Sequence, residues 1–182
     1  MGKSTDTQTV FGMGNCNSSA QIKNGTMNSK GLFWGSTDKT SGVKVFGMEN
    51  WWGNLWRRIG GWVTDSNGVQ KIKMTYGTSD GSTTTGYNTD GTGYISVGSK
   101  PSSNGYIKSM NFNKLGLIPS STVGSSSTYY SDSSYWGTSR YALVGGYWSN
   151  DLGCGVFFVS LGSAVSVSGS SVSAALSCKP LG

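Results

Sequence analysis

The chain has 182 residues, among them 29 Gly, 7 Trp, 9 Tyr and 6 Phe but no His, and 14 Lys and Arg against 8 Asp and Glu leave a formal charge of +6. Without His there is no Ser-His-Asp or Cys-His unit, no imidazole general base and no imidazole-ligated metal. The bases are scattered singly apart from Arg57-Arg58, so the clustered basic stripe of a nucleic-acid binder is missing.

This length predicts one domain, residues 1–182, with room for a sizeable core. Gly and Ser are everywhere while Ala, Leu and Glu are scarce, so helices should be few and short. Residues 1–30 read as a polar N-terminal extension or loop. Met1-Gly2-Lys3-Ser4 does not open an apolar signal region, as expected of a fragment boundary or of a protein made inside a cell. No apolar run reaches membrane-spanning length, so no membrane insertion is expected. The patch Val10-Phe11-Gly12-Met13 returns at Val45-Phe46-Gly47-Met48 without a third copy, which argues against a solenoid.

Residues 43–63 hold four of the 7 Trp. There Trp52, Leu55, Trp56 and Ile59 recur at helical spacing and predict a short helix, limited by Gly53, Gly60 and Gly61, with its Trp side chains in an aromatic core. Alternation over 69–76 predicts a half-buried strand. Ser79-Asp80-Gly81 and Thr89-Asp90-Gly91 predict turns flanking a Thr-rich hairpin tip. Segments 94–97 and 106–112 read as further short strands, and 119–134 as a long surface loop. Three apolar runs, 140–148, 155–161 and 174–177, predict buried strands whose polar connections lie on one side of a rigid sheet, where binding residues concentrate. The expected class is α+β, dominated by strands, with short helices and Gly/Ser-rich loops.

Chemistry is sparse. Cys16, Cys154 and Cys178 are odd in number and lack C-x-x-C spacing, so they read as small buried hydrophobes, with a bridge between Cys154 and Cys178 as the alternative. Glycosidic acid–base work needs two carboxylates facing one bond, and calcium needs clustered carboxylates. The acids Asp6, Asp38, Glu49, Asp65, Asp80, Asp90, Asp132 and Asp151 form neither pattern and lie mostly in turn contexts. No Gly-rich stretch has the strand–turn–helix context or the Lys-Ser/Thr pair of a phosphate loop. The residues therefore favour binding over catalysis, with no cofactor and no metal.

Two stretches carry a resemblance. Glu49-Asn50-Trp51-Trp52-Gly53-Asn54-Leu55-Trp56 is similar to the G-N-V-W-E-W core of the formylglycine-generating-enzyme type of C-type lectin fold. Arg140-Tyr-Ala-Leu-Val-Gly-Gly-Tyr-Trp-Ser-Asn, then Gly155-Val-Phe-Phe and Ala174-Ala-Leu-Ser-Cys-Lys-Pro-Leu181, resembles that fold's R-G-G-S-W-x-N … G-x-F … G-F-R ending. More closely, it resembles the C-terminal variable region of proteins diversified by retroelements, such as the tropism determinants and related tail or surface proteins of gut phages and bacteria. The likeness spans roughly 31–62 and 139–181, the latter being the variable-region-like segment.

The resemblance implies a C-type-lectin-like domain that binds a host cell-surface protein or glycan, without nucleic acid. It would sit on a phage tail in the virion, or alternatively on a bacterial cell surface. Tail-tip relatives are often trimers, which implies a homotrimer assembled through regions outside this chain. Adenine-directed mutagenesis of AAC-type codons cannot reach Trp or Lys, and between 145 and 181 the unreachable residues are Trp148 and Lys179. The positions implied to vary and to contact ligand are Tyr147, Ser149, Asn150, Asp151, Leu152, Phe158, Ser160, Gly162, Ser163, Val167, Gly169 and Ser171. Those implied to be scaffold are Trp52, Trp56, Trp148, Gly155 and Phe157, with Leu161. The calcium-lectin Glu-Pro-Asn or Gln-Pro-Asp element has no counterpart, nor do the active-site cysteines of the formylglycine-generating enzymes, and Ala174-Ala175-Leu176 replaces Gly-Phe-Arg. The alternatives are a divergent enzyme of the formylglycine-generating type and a structural virion or adhesin domain.

Overall fold

A computed structural model describes residues 12–74, 87–125, 127 and 132–173. They form short strands and, among the described residues, one 3-10 turn, Asp151–Gly153. The strand-dominated expectation therefore stands, but the helical part of the α+β expectation has no counterpart among the described residues.

Strands β1 (Lys44–Val45) and β2 (Met48–Glu49) make a hairpin whose turn is Phe46-Gly47, the second copy of the repeated apolar patch. The principal sheet contains β3 (Trp56–Thr64), β4 (Val69–Ile72), β5 (Ile95–Ser99), β6 (Gly105–Tyr106), β9 (Ser133–Trp136), β10 (Arg140–Val144), β11 (Val159–Leu161) and β12 (Val172–Ser173). Its spatial order is β5-β4-β3-β10-β11-β9-β6, with β12 running parallel to the start of β3. A separate hairpin pairs β7 (Ser109–Asn113) with β8 (Gly116–Ser121).

The helix expected around Trp52, Leu55, Trp56 and Ile59 is not formed; Trp56 instead opens the longest strand, β3. Trp56 and Arg57 pair with Val172 and Ser173, and Arg57 and Arg58 with Val144 and Leu143. Long-range partners on both edges outweigh a local period that Gly60 and Gly61 already weaken. The 119–134 loop is likewise shorter than expected, because β8 claims its beginning and β9 its end. The strand expected over 69–76 is realised only as β4, Val69–Ile72, with Gln70 and Ile72 inward as the alternation requires; Lys73 and Met74 lie beyond its end, and 75–76 lie outside the described residues. The turn at 89–91 is held by Asn88 Oδ1, which accepts the Gly91 N–H at 2.7 Å; the turn at 79–81 and the run 174–177 lie outside the described residues.

Both faces of the sheet are apolar. On β10, Leu143 joins Met13, Cys16, Trp56, Cys154 and Phe158 in one cluster, while its neighbours Ala142 and Val144 meet Trp136, Val159, Leu161 and Trp62 in another. That is period-2 alternation with a core on each side. Strand β3 contributes Trp56 to the first cluster and Trp62 to the second although both numbers are even. Register explains this: Tyr141 faces Val63 and Leu143 faces Arg58, so two steps on β10 match five on β3. The odd excess turns the strand over. Gly61 makes the bulge possible, at φ +81° with its missing Cβ 2.3 Å from the Lys73 carbonyl oxygen, so an L side chain there would clash and strain the backbone.

The Trp56 ring lies 4.6 Å from the Phe158 ring and stacks on Tyr147 at 6.3 Å. Truncation in such a cluster leaves a cavity, so Trp56→Ala should lose about 3–5 kcal/mol in denaturant unfolding. Unchanged stability would refute its place in the core.

Candidate binding site

The site begins at the junction of the N-terminal segment with residues 50–56. Asn15 and Asn54 are both buried, and Asn15 Nδ2 donates to Asn54 Oδ1 at 3.0 Å. Asn54 Oδ1 also accepts the Ile22 N–H, and its Nδ2 donates to the Ile22 carbonyl. Buried amides satisfied on both ends fix a backbone course that apolar contacts would leave adaptable. Asn54 O then accepts the Trp148 N–H at 3.2 Å, and Trp148 O accepts the Ser18 N–H at 2.8 Å. Trp148 is half-buried and meets Tyr147 edge-on at 5.2 Å.

This clamp starts the first loop, 147–158. Within it, Asn150 Oδ1 accepts the Tyr147 N–H at 2.8 Å, closing the turn. Asp151 is exposed, donates its N–H to Cys16 O at 2.7 Å and pairs with Lys39 at 3.3 Å. Leu152 falls within the 3-10 turn. The loop's far end leans on Asp132, whose Oδ2 accepts the Phe157 N–H at 2.6 Å. A Cβ on Gly155 would lie 2.3 Å from Asp132 Oδ1, so only glycine fits there. Burial drives the Asp132 carboxyl up to about 7 against the partial relief of that N–H bond. The neighbouring Cys154 thiol is raised well above its usual value, by burial first and then by contact with Cys16. Cys16 and Cys154 are buried thiols, as expected, and Cys178 lies outside the described residues.

The second loop, 162–171, leaves β11 at the end of the sheet opposite to the first, since β10 and β11 are antiparallel. It returns across the sheet face that carries Trp56 to reach β12. Arg58 Nη1 donates to Val165 O at 3.0 Å and Arg58 Nη2 to Val167 O, while Trp56 N–H donates to Ser171 O at 2.8 Å. Tyr147 and Val167 both pack against the first core cluster, so the two loops meet there despite starting at opposite ends.

The implied variable positions separate accordingly. Ser149, Asp151, Gly162 and Gly169 are exposed; Tyr147, Asn150, Ser163, Val167 and Ser171 are half-buried. Phe158 is 1% exposed and Ser160 is buried, so neither can present its side chain to a ligand in this conformation. Phe158 and Phe157 exchange roles: Phe157, implied as scaffold, is half-buried, while Phe158 lies in the core. Asn150 is a structural residue through its turn. Trp52, Trp56 and Gly155 are buried. Compared with protein-family models, curated proteins and solved structures, the chain matches none.

Sequence reasoning missed Asp132, Arg58 and Lys39 as residues that hold the loops. Asp132 was readable as a turn acid, and nothing in its neighbourhood signals burial; Arg58 stood out only as half of the single basic pair. Among the described residues no group of three or more Cys, Asp or Glu could hold a metal ion.

Asp132 gives the fold a pH dependence. Its folded value of about 7 exceeds the ordinary 3.8, so between those values the folded state holds a proton that the unfolded state has lost. The contribution of Asp132 to stability is therefore fully present below about pH 4 and is lost as pH rises to about 7, with a span of about 4 kcal/mol. Asp132→Asn keeps the acceptor for Phe157 and should flatten that slope in melting temperature measured from pH 4 to 8. An unchanged slope would refute the assignment.

Proposed function

We propose that the chain is a non-catalytic ligand-binding domain of C-type-lectin-like architecture, a variable protein of the retroelement-diversified kind. It acts at a phage tail tip or, alternatively, on a bacterial surface, and recognises a host cell-surface protein or glycan through residues 147–151 and 162–171.

The observation that carries this reading is how the second loop is fastened. Arg58 and Trp56 grip the carbonyl oxygens of Val165, Val167 and Ser171, and Val167 N–H donates to Ala164 O. Main-chain acceptors exist whatever the side chain is, so this loop can keep its course while exposed residues such as Gly162 and Gly169 change. A surface of that kind is suited to recognition that must be retargeted, with aromatic residues such as Tyr147 supplying contact area and small polar residues adaptable hydrogen bonds. The thiol chemistry of an oxidase is disfavoured, because burial suppresses the reactive thiolate at Cys154.

Sequencing codons 145–181 across a natural population tests this reading. Substitutions should gather at adenine positions encoding Ser149, Asp151, Gly162, Ser163 and Gly169, with Trp148, Gly155 and the buried Phe158 constant. A uniform tract would overturn the retroelement reading. In a purified protein, Ser149→Ala and Gly169→Ser should leave stability within about 0.5 kcal/mol, since Ser149 is exposed and nothing lies within 4 Å of a Cβ at Gly169. A large loss of melting temperature in either would overturn the division between frame and loops.

A further inference from the structure

Along the first half of β3 lies a hollow of about 310 Å3, lined by Trp51, Arg57, Arg58, Ile59, Val144 and Val156 among others. Its walls are largely apolar and Arg57 is half-buried. Arg57 faces Val144 across the β3–β10 pair and holds its guanidinium over the Trp51 ring, 5.8 Å from the centroid. Arg57 Nη2 donates to the main-chain oxygens of Glu49 and Asn50, at 3.1 and 2.5 Å. Its Nε and Nη1 make no hydrogen bond among the described residues, and the ion pairs there are Lys39–Asp151 and Lys71–Asp65. Glu49, the nearest acid in sequence, is turned away: its carboxylate accepts the N–H groups of Gly25 and Met27.

A half-buried guanidinium without a carboxylate is an uncompensated charge, costly unless something else supplies the anion. Trp51 is 38% exposed beside it, so the tryptophan face and the arginine donors both open to an entering molecule. We propose that this hollow binds a small apolar carboxylate, an aromatic or branched-chain acid, with its carboxylate on Arg57 Nη1 and its apolar body against Trp51, Ile59, Val144 and Val156. The walls decide the class. Aliphatic and aromatic side chains surround Arg57, while the guanidinium of the other lining arginine, Arg58, is engaged by Val165 O and Val167 O, and such lining favours a hydrocarbon body over a polyhydroxylated one. Arginine supplies a charge-assisted hydrogen bond that a neutral analogue cannot match. The proposal does not rest on the loop surface that would contact a receptor, since the guanidinium it invokes is Arg57, whereas that of Arg58 holds the second loop.

The test uses phenylacetate, with phenylacetamide as its neutral isostere and glucuronate as a polar acid, titrated into the protein and followed by calorimetry and protein NMR. Phenylacetate should bind saturably and at least tenfold more tightly than phenylacetamide or glucuronate. Val156→Trp, which fills the hollow without touching Arg57, should abolish binding, and Arg57→Gln should remove the preference for the acid over the amide. If Arg57→Gln fails to fold, Val156→Trp alone decides. No binding of phenylacetate, equal binding of the amide, tighter binding of glucuronate, or binding unchanged by Val156→Trp would each overturn the proposal.

Discussion

The pairing of β3 with β10, and the mismatch built into it, is the constraint on which the rest of the molecule depends. Five steps of β3 against two of β10 turn the strand over at Gly60-Gly61. One continuous strand thereby supplies Trp56 to the core on one face and Trp62 to the core on the other. Ahead of the inversion, ordinary alternation sends the adjacent Arg57 and Arg58 to different tasks, one over Trp51 and one onto the second loop. A regular β3 would put both tryptophans on one face and leave the other core without its Trp.

What the sequence disclosed and what it hid follow from this. Segments whose pattern is settled locally were legible: the alternation of Val69, Gln70, Lys71 and Ile72, the Asn88–Gly91 turn, and the unbroken apolar runs that became β10 and β11. Residues 52–59 were misleading because Trp52, Leu55, Trp56 and Ile59 satisfy a helical period by chance. The residues that overrule it, Val144, Leu143 and Val172, are far away in the chain. Single-sequence periodicity does not register partners at that distance.

The loops tell a similar story. Trp52 and Trp56 were recognisable as core aromatics from their surroundings, while Gly155 was marked as frame only by the resemblance. Phe157 and Phe158 were not separable by sequence, because which of two adjacent residues faces the core depends on the register of a strand three residues long. Asn150 looked like a replaceable surface amide, yet its carboxamide closes the turn that presents Tyr147. Asp132 could not be singled out, since a turn aspartate and a buried one look alike until the loop that covers it, 155–157, is in place.

The parallel pairing of β12 with β3 bears on how the protein is made. Trp56 and Ser173, joined by a hydrogen bond, are 117 residues apart. On a ribosome adding roughly 5–20 residues per second, β3 waits on the order of ten seconds before its last partner emerges. Through that interval Trp52, Trp56 and Trp62 have no completed core to enter. The hazard during synthesis is capture of nascent chains by one another, and the slow step is closure of the most distant contacts. The second loop, 162–171, is translated after β3, β10 and β11 and just ahead of β12.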